Sequence, residues 1–461
     1  MFQLSVIILC SLTVLLLHFF ISDDGLLSPR SAYALSFLPA TLLLYLYVEK
    51  WDVDLELSTV FVIIIGLVVF TISSLVTEKI KIRKISPLNE RVEKLFVNRK
   101  EEKKKEIETW KYIFFIIFQL ITLYLLYGYI RSIVGGGSFL AVMNKIRQKT
   151  VAEYINIPTI ISIMRSICLA SRFIWMYLLI YITIYKTGSI RTKLLLLVNL
   201  AIGIIISMLL GGRGNLVDAV VVGWILYYAI SGTIGEKGRR VQERKKCYVY
   251  VTIIAVLGLI SFQSLGRLVG RNLKYNNLDY FAVYLSAPIK NLDTFIRESG
   301  NSILFLEGIS NKLNTNQTLA TVLNYVAIKF GITDLYHTRD LTVALWPDRR
   351  IHGYYLGNCY TTYAPYLYDG GWFAVILFTA LHAVICQSIY NFALKTMARK
   401  NHKRGMVPLI VYSEVWYYTF FSFFTDMFYF SAVGIGFLRS VIYLIIISWF
   451  LYNVNIGERH T

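Results

Sequence analysis

Apolar runs of about 18 residues or more recur along this chain, beginning with FQLSVIILCSLTVLLLHFF at residues 2–20. Runs of that length can cross a bilayer as helices, because a helix satisfies its backbone hydrogen bonds internally. The runs are continuous. Barrel strands would alternate polar and apolar residues over about ten positions. Charged residues make up only 16% of the chain, against about 25% in soluble proteins. The predicted fold class is therefore all-α, a polytopic transmembrane helical bundle. The first run has no basic leader and no small-residue cleavage site, so it reads as a retained helix.

The net charge of +19 could suggest nucleic acid. Its distribution argues otherwise. Residues 78–111 carry twelve Lys/Arg against seven Asp/Glu, and 236–246 carry six against two. Residues 186–193 carry three Lys/Arg and 395–404 carry five, both with no acid. These four short loops hold an excess of +17. Basic short loops beside spans mark the cytoplasmic side. The basicity is a topology signal, and nucleic acid is not an expected partner.

Fixing those loops inside places spans near 3–21, 32–48, 58–77, 112–130, 163–185, 193–210, 216–231, 248–264, 371–394, 407–424 and 435–452. That is eleven helices, with ten or twelve as the alternatives, the N-terminus outside and the C-terminus inside. Three regions follow. Residues 1–264 form an N-terminal bundle with the cytoplasmic basic loop 78–111, in which RKEEKKKEIE reads as a solvated helix. Residues 265–370 form one large external loop, and 371–461 the C-terminal membrane helices. The external loop carries ten Lys/Arg and eight Asp/Glu, so it lacks the inside excess. It is rich in Tyr, Asn and Thr, as in GYYLGNCYTTYAPYLYDGG. Loops this long are functional or disordered, and this one is too aromatic for disorder. Of the five cysteines, Cys359 alone lies in it, and no cysteine spacing resembles a zinc site.

Several constellations could carry chemistry. In LLGGRGNLVDAV, Arg213 sits among glycines at the outer end of a helical hairpin. A following helix start favours an anion, and a guanidinium fits phosphate bidentately. The same residues also suit a tight turn whose arginine snorkels to the interface. Arg267 and Arg271, four apart, share a helix face and repel each other unless an anion lies between them. Arg165 and Arg172 lie on the span over 163–185, toward its outer half. Intramembrane arginines face a bundle interior or a watery cavity. The densest external set of titratable groups is LYHTRDLTVALWPDRRIHGYY, with His337, Arg339, Asp340, Asp348, Arg349, Arg350 and His352. A histidine or aspartate there could act as a general base. The surrounding aromatics and amides suit sugars. Asp426 lies at the outer end of the tenth span, and Glu414 within it.

Four segments, in order, are SPRSAYALSFL, LLGGRGNLVDAV, YLSAPIKNLDTF and NCYTTYAPYLYDGGWFAVILFTALHAV. With the single large external loop, they resemble the bacterial O-antigen polymerase family, the oligosaccharide repeat unit polymerases. The resemblance spans most of the chain. It implies a multi-pass glycosyltransferase of the inner (cytoplasmic) membrane that joins repeat units carried on undecaprenyl pyrophosphate at the outer membrane face. Neither a metal nor a nucleotide sugar is implied, and no cofactor is expected. The expected partners are the lipid-linked oligosaccharide, membrane lipids, a flippase and a chain-length regulator.

On that reading, Arg213, Arg172, Arg267, Arg271, Arg339 and Arg349 are the pyrophosphate and substrate ligands. His337, His352 and Asp348 are the catalytic candidates. The neighbouring readings are an O-antigen ligase-type transferase, or a flippase that moves the same lipid-linked sugar.

Overall fold

The computed structural model describes residues 1–21, 25–82, 107–152, 157–210, 214–268, 276–300, 316–332, 346–398 and 402–454. In chain order the helices are α1 (Phe2–Ile21), α2 (Pro29–Tyr45), α3 (Leu57–Ile82), α4 (Thr109–Val134), α5 (Phe139–Ala152), α6 (Thr159–Ile184), α7 (Ile190–Met208) and α8 (Gly214–Gly232). They continue as α9 (Lys237–Leu268), α10 (Asn277–Leu285), α11 (Ala287–Ser299) and α12 (Ala320–Phe330). A hairpin of β1 (Arg349–Ile351) and β2 (Tyr354–Gly357) precedes α13 (Tyr363–Ala398), α14 (His402–Phe420) and α15 (Ile435–Asn453).

Among the described residues, eight helices are long and apolar enough to cross a membrane: α1, α3, α4, α6, α7, α8, α13 and α15. Large apolar side chains face outward on them, such as Phe20, Ile72, Tyr124 and Trp449. In water such faces would be costly; in lipid they are solvated. The chain is an all-α, multi-pass membrane protein. The three other predicted spans, near 32–48, 248–264 and 407–424, fall on α2, α9 and α14. These are less apolar for identifiable reasons. α2 is 17 residues long and holds Pro39, α9 opens on KGRRVQERKK, and α14 opens on HKR and holds Pro408. The helix expected over RKEEKKKEIE lies outside the described residues.

Local sequence sets the helix ends. Ser28 caps α2 by accepting from the Arg30 amide at 3.2 Å, with Pro29 in the first turn. Ser189 caps α7 by accepting from the Thr192 amide at 3.1 Å. α13 is broken at Gly370 and Gly371, where Gly371 takes a φ of 56° that only glycine adopts without strain.

The chain divides into two compact units. The first comprises Met1–Ile85, Leu278–Phe392 and Glu414–Leu438, and the second Ser86–Asn277, Ala393–Ser413 and Arg439–Thr461. In the first unit, α1, α2 and α3 pack together over a core that includes Phe37, Phe70, Tyr363 and Tyr366. Its α2 and α3 are also tied by a buried Arg30–Glu78 ion pair, with His18 accepting from Arg30. In the second unit, α4, α6, α7 and α8 pack together, and α5 lays Val142, Met143 and Ile146 onto the same core.

Candidate functional site

The second unit gathers arginines. Arg165 and Arg172 stand seven apart on α6, two helical turns, and so share a face. Arg172 is only 3% exposed. Its guanidinium forms an ion pair with Asp218 of α8 and lies 3.4 Å from the Asn215 carbonyl. Asn215 in turn donates from Nδ2 to the Ser207 carbonyl at 2.8 Å, joining the end of α7 to the start of α8. Gly203 of α7 lets α6 come close: a Cβ there would lie 3.1 Å from the Cβ of Arg172. The ion pair is therefore set among three helices and shielded from water.

Arg165 is left differently. Its Nε is buried and has no hydrogen-bond partner among the described residues. The positive charges of Arg172 and of Arg439, in the second turn of α15, both act on it. Among the described residues no carboxylate pairs with Arg165 or Arg439, and Asp218 neutralises only Arg172. Of these three guanidinia, Arg172 alone is paired with a carboxylate among the described residues. The start of α8 adds the positive end of a helix dipole. Like charges gathered at low dielectric repel strongly, and a multivalent anion would relieve that repulsion. The arrangement is chemically suited to a diphosphate.

Arg213, which the sequence offers as an anion ligand, lies outside the described residues, immediately before Gly214. Arg271, His337 and Arg339 lie outside them too. Arg267 falls in the last turn of α9. Arg439 was missed by sequence reasoning: one arginine in GFLRSV looks like an ordinary interfacial charge. Its signal would have been topological, since α15 starts at the end where α6 carries its arginines.

Asp348, Arg349 and His352 belong to the first unit, on or beside the β1–β2 hairpin. His352 and Gly353 form its two-residue turn, with φ of 46° and 80°. His352 and Asp348 are exposed. Arg349 is gripped through both terminal nitrogens by Glu298 of α11 and donates from Nε to the Tyr360 hydroxyl at 2.8 Å. That hydroxyl donates to the Pro347 carbonyl at 2.7 Å. Arg349 thereby anchors the hairpin onto α11. Glu298 is 54% exposed, and an exposed pair is worth about 0–1 kcal/mol. Glu298→Ala should therefore leave the thermal midpoint of the detergent-solubilised protein within a few degrees of the parent.

Three further polar residues of the long loop, Asp293, Asn291 and Asp369, also make hydrogen bonds to their neighbours. Asp293 accepts from the Glu56 amide and the Thr59 hydroxyl, each at 2.8 Å, and so caps α3. Asn291 donates to the carbonyls of Leu356, Gly357 and Cys359 at 2.9–3.3 Å. Asp369 accepts from the amides of Gln317 and Thr318, both at 2.7 Å, just ahead of α12. The Asn and Asp of NLDTF and the Asp of YDGG thus hold backbone in place.

No family model, no curated protein and no solved structure matches this chain.

Proposed function

We propose that this protein is a membrane glycosyltransferase. It polymerises undecaprenyl-pyrophosphate-linked oligosaccharide repeat units into a surface polysaccharide at the outer face of the bacterial cytoplasmic membrane. The observation that carries this reading is the arginine cluster of Arg165, Arg172 and Arg439. The reading includes the eleven-span arrangement, with residues 265–370 outside. The charge asymmetry of the loops then assigns the N-terminal ends of α6, α8 and α15 to the outer side. Arg213 precedes α8 at that same end.

The chemistry follows from the leaving group. An acceptor sugar hydroxyl attacks the anomeric carbon of the growing chain, and the bond from that carbon to the lipid pyrophosphate breaks. Negative charge grows on the departing pyrophosphate. Preorganised guanidinia in a low-dielectric setting stabilise that charge without reorganising. A ligase-type transferase would use the same leaving group with a different acceptor. Transporters of the flippase kind place polar groups near the midplane of repeated halves. No internal repeat is legible here, which favours transfer over transport.

A deletion strain tests the reading. Loss of a polymerase leaves single repeat units on the lipid carrier or on lipid A and removes long chains. Accumulation of lipid-linked units on the cytoplasmic side would instead establish a flippase. Arg165→Ala, returned to that strain, should reach the membrane at parental levels. It should slow chain extension by about tenfold or more, the equivalent of one charge-assisted hydrogen bond. Polymer of unchanged length and amount from Arg165→Ala would remove the cluster from the mechanism.

A further inference from the structure

The second unit carries another basic surface at its other end, where α6 and α8 finish and α9 begins. Three arginines stand in the opening turns of α9: Arg239, Arg240 and Arg244. Two are committed to backbone. Arg239 donates to the carbonyl of Ile184, the last residue of α6. Arg240 donates to the Ile234 carbonyl at 2.8 Å and the Gly235 carbonyl at 3.3 Å, in the turn between α8 and α9. Basic side chains commonly satisfy the carbonyls that a helix end leaves free.

Arg244 has no such commitment. Its guanidinium lies over the Tyr228 ring of α8, 4.9 Å from the centroid. A Cβ at Gly232 would meet its Nη2 at 3.3 Å. Arg244 is thus seated at the end of α8. Among the described residues it makes no ion pair and no hydrogen bond, and its Nε is buried without a partner. The carboxylate one residue before it, Glu243, is already taken by Lys246 and by the Tyr227 hydroxyl, each at 2.7 Å. A charged donor left without an acceptor is costly, and an anionic oxygen would supply one.

The charge around it is one-sided. The Tyr185 hydroxyl lies 2.7 Å from Oγ1 of Thr233 and joins the α6–α7 turn to the α8–α9 turn. Residues 186–193 and 236–246, which adjoin these turns, carry nine Lys/Arg against two Asp/Glu. Along α9, Lys237, Val241, Lys245, Val249 and Ile253 follow at steps of four and are all exposed. They form a stripe that is basic at its start and apolar beyond Lys245. Tyr248, Tyr250, Ile254, Val256, Leu257 and Ile260 of the same helix are 44–61% exposed.

A soluble anion would use only the basic half of this surface. A lipid with an anionic headgroup uses both halves. Basic clusters at the membrane edge of a helical bundle bind such headgroups, and tyrosines such as Tyr185, Tyr227 and Tyr248 suit the headgroup level.

We propose that Arg244 and Lys245 hold the headgroup phosphate of an anionic phospholipid of the bilayer. Lys237 lies beside them, and the acyl chains run along Val249, Ile253 and their apolar neighbours on α9. The ligand is a lipid of the membrane and not a substrate, so the inference stands apart from the glycosyl-transfer reading. On the topology drawn from the loops, the lipid lies in the cytoplasmic leaflet. Bound there, it touches both α8 and α9 and strengthens their junction.

The test uses the full-length protein purified in a neutral detergent. Added phosphatidylglycerol should raise the thermal midpoint, more so as its concentration rises, because a ligand of the folded state stabilises it by mass action. Zwitterionic phosphatidylcholine at the same concentrations should not. Arg244→Gln and Lys245→Gln should each weaken phosphatidylglycerol binding about tenfold, the loss of one charge-assisted hydrogen bond. Lys245 is exposed, so Lys245→Gln should keep the parental midpoint without lipid and remains readable even if Arg244→Gln unfolds. Arg191→Gln removes the same charge from an exposed position at the start of α7 and should leave the lipid shift intact.

An equal shift from phosphatidylcholine, or an undiminished shift in both Arg244→Gln and Lys245→Gln, overturns the proposal. So does an equal loss in Arg191→Gln, which would make the attraction diffuse. The same shift from inorganic phosphate would show a site for a free anion and overturns it too. Native mass spectrometry should find phosphatidylglycerol retained on the parent. A second copy of the chain in its place, lost in Arg244→Gln, would give the surface to self-association and also overturns the proposal.

Discussion

Asp218→Ala should cost the folded protein about 3–5 kcal/mol, the loss seen when one partner of a buried ion pair is removed. Arg172, a residue 3% exposed, would be left without the carboxylate that pairs with it. The double variant Arg172→Met/Asp218→Leu should recover most of that stability. Hydrophobic residues of similar volume often replace a buried pair at little or no cost. Thermal unfolding of the purified protein in detergent checks both. A parental midpoint for Asp218→Ala would show that the pair is not buried as described. The double variant also separates two roles. If Arg172 only holds α6 to α8, the repacked protein should extend chains normally. If Arg172 also faces the leaving pyrophosphate, it should be stable and inactive.

The division between what could and could not be read from sequence runs along the same pair. Helix existence is a local property: an apolar run long enough to cross a bilayer reads directly, and the helices α1, α3, α4, α6, α7, α8, α13 and α15 stand where the apolar runs stand. The two arginines on α6 were legible for the same reason, since spacing along one helix fixes their common face. Partner choice is not local. Arg172 and Asp218 are 46 residues apart on different helices, and no periodicity links them. Arg439 joins Arg165 only through the packing of α15, so its sequence context looked ordinary. The segment around 337–352 is dense in titratable residues. Its described part is a hairpin clamped by Glu298, a contact made with α11 that the segment's own residues do not encode. Asp426 was legible as an aspartate at a span end. Its contacts with Thr362 and Tyr366 arise only when the start of α13 meets the chain after α14.

Gly66→Ala should be the most damaging single methyl group in the first unit. A Cβ at Gly66 would sit 2.0 Å from the Tyr363 hydroxyl oxygen, 2.4 Å from its Cζ and 2.5 Å from its Cε1. Tyr363 is fully buried, and its hydroxyl accepts from Tyr33 at 2.8 Å. Overpacking a filled core costs about 1–3 kcal/mol when side chains can adjust. Here a ring held on all sides must leave its place or α3 must move, so the cost should reach or exceed the top of that range. The contrast is Gly128 on α4, where a Cβ meets nothing within 4 Å. Gly128→Ala should raise stability by up to about 1 kcal/mol, the ordinary helix preference for alanine. Opposite shifts in thermal midpoint for the same chemical change would locate the cause in the neighbour and not in the helix. Tyr363→Phe should not rescue Gly66→Ala, because removing the hydroxyl leaves the ring carbons at 2.4 and 2.5 Å. Rescue by phenylalanine would mean that Gly66 serves the Tyr33–Tyr363 hydrogen bond and not the passage of the ring itself.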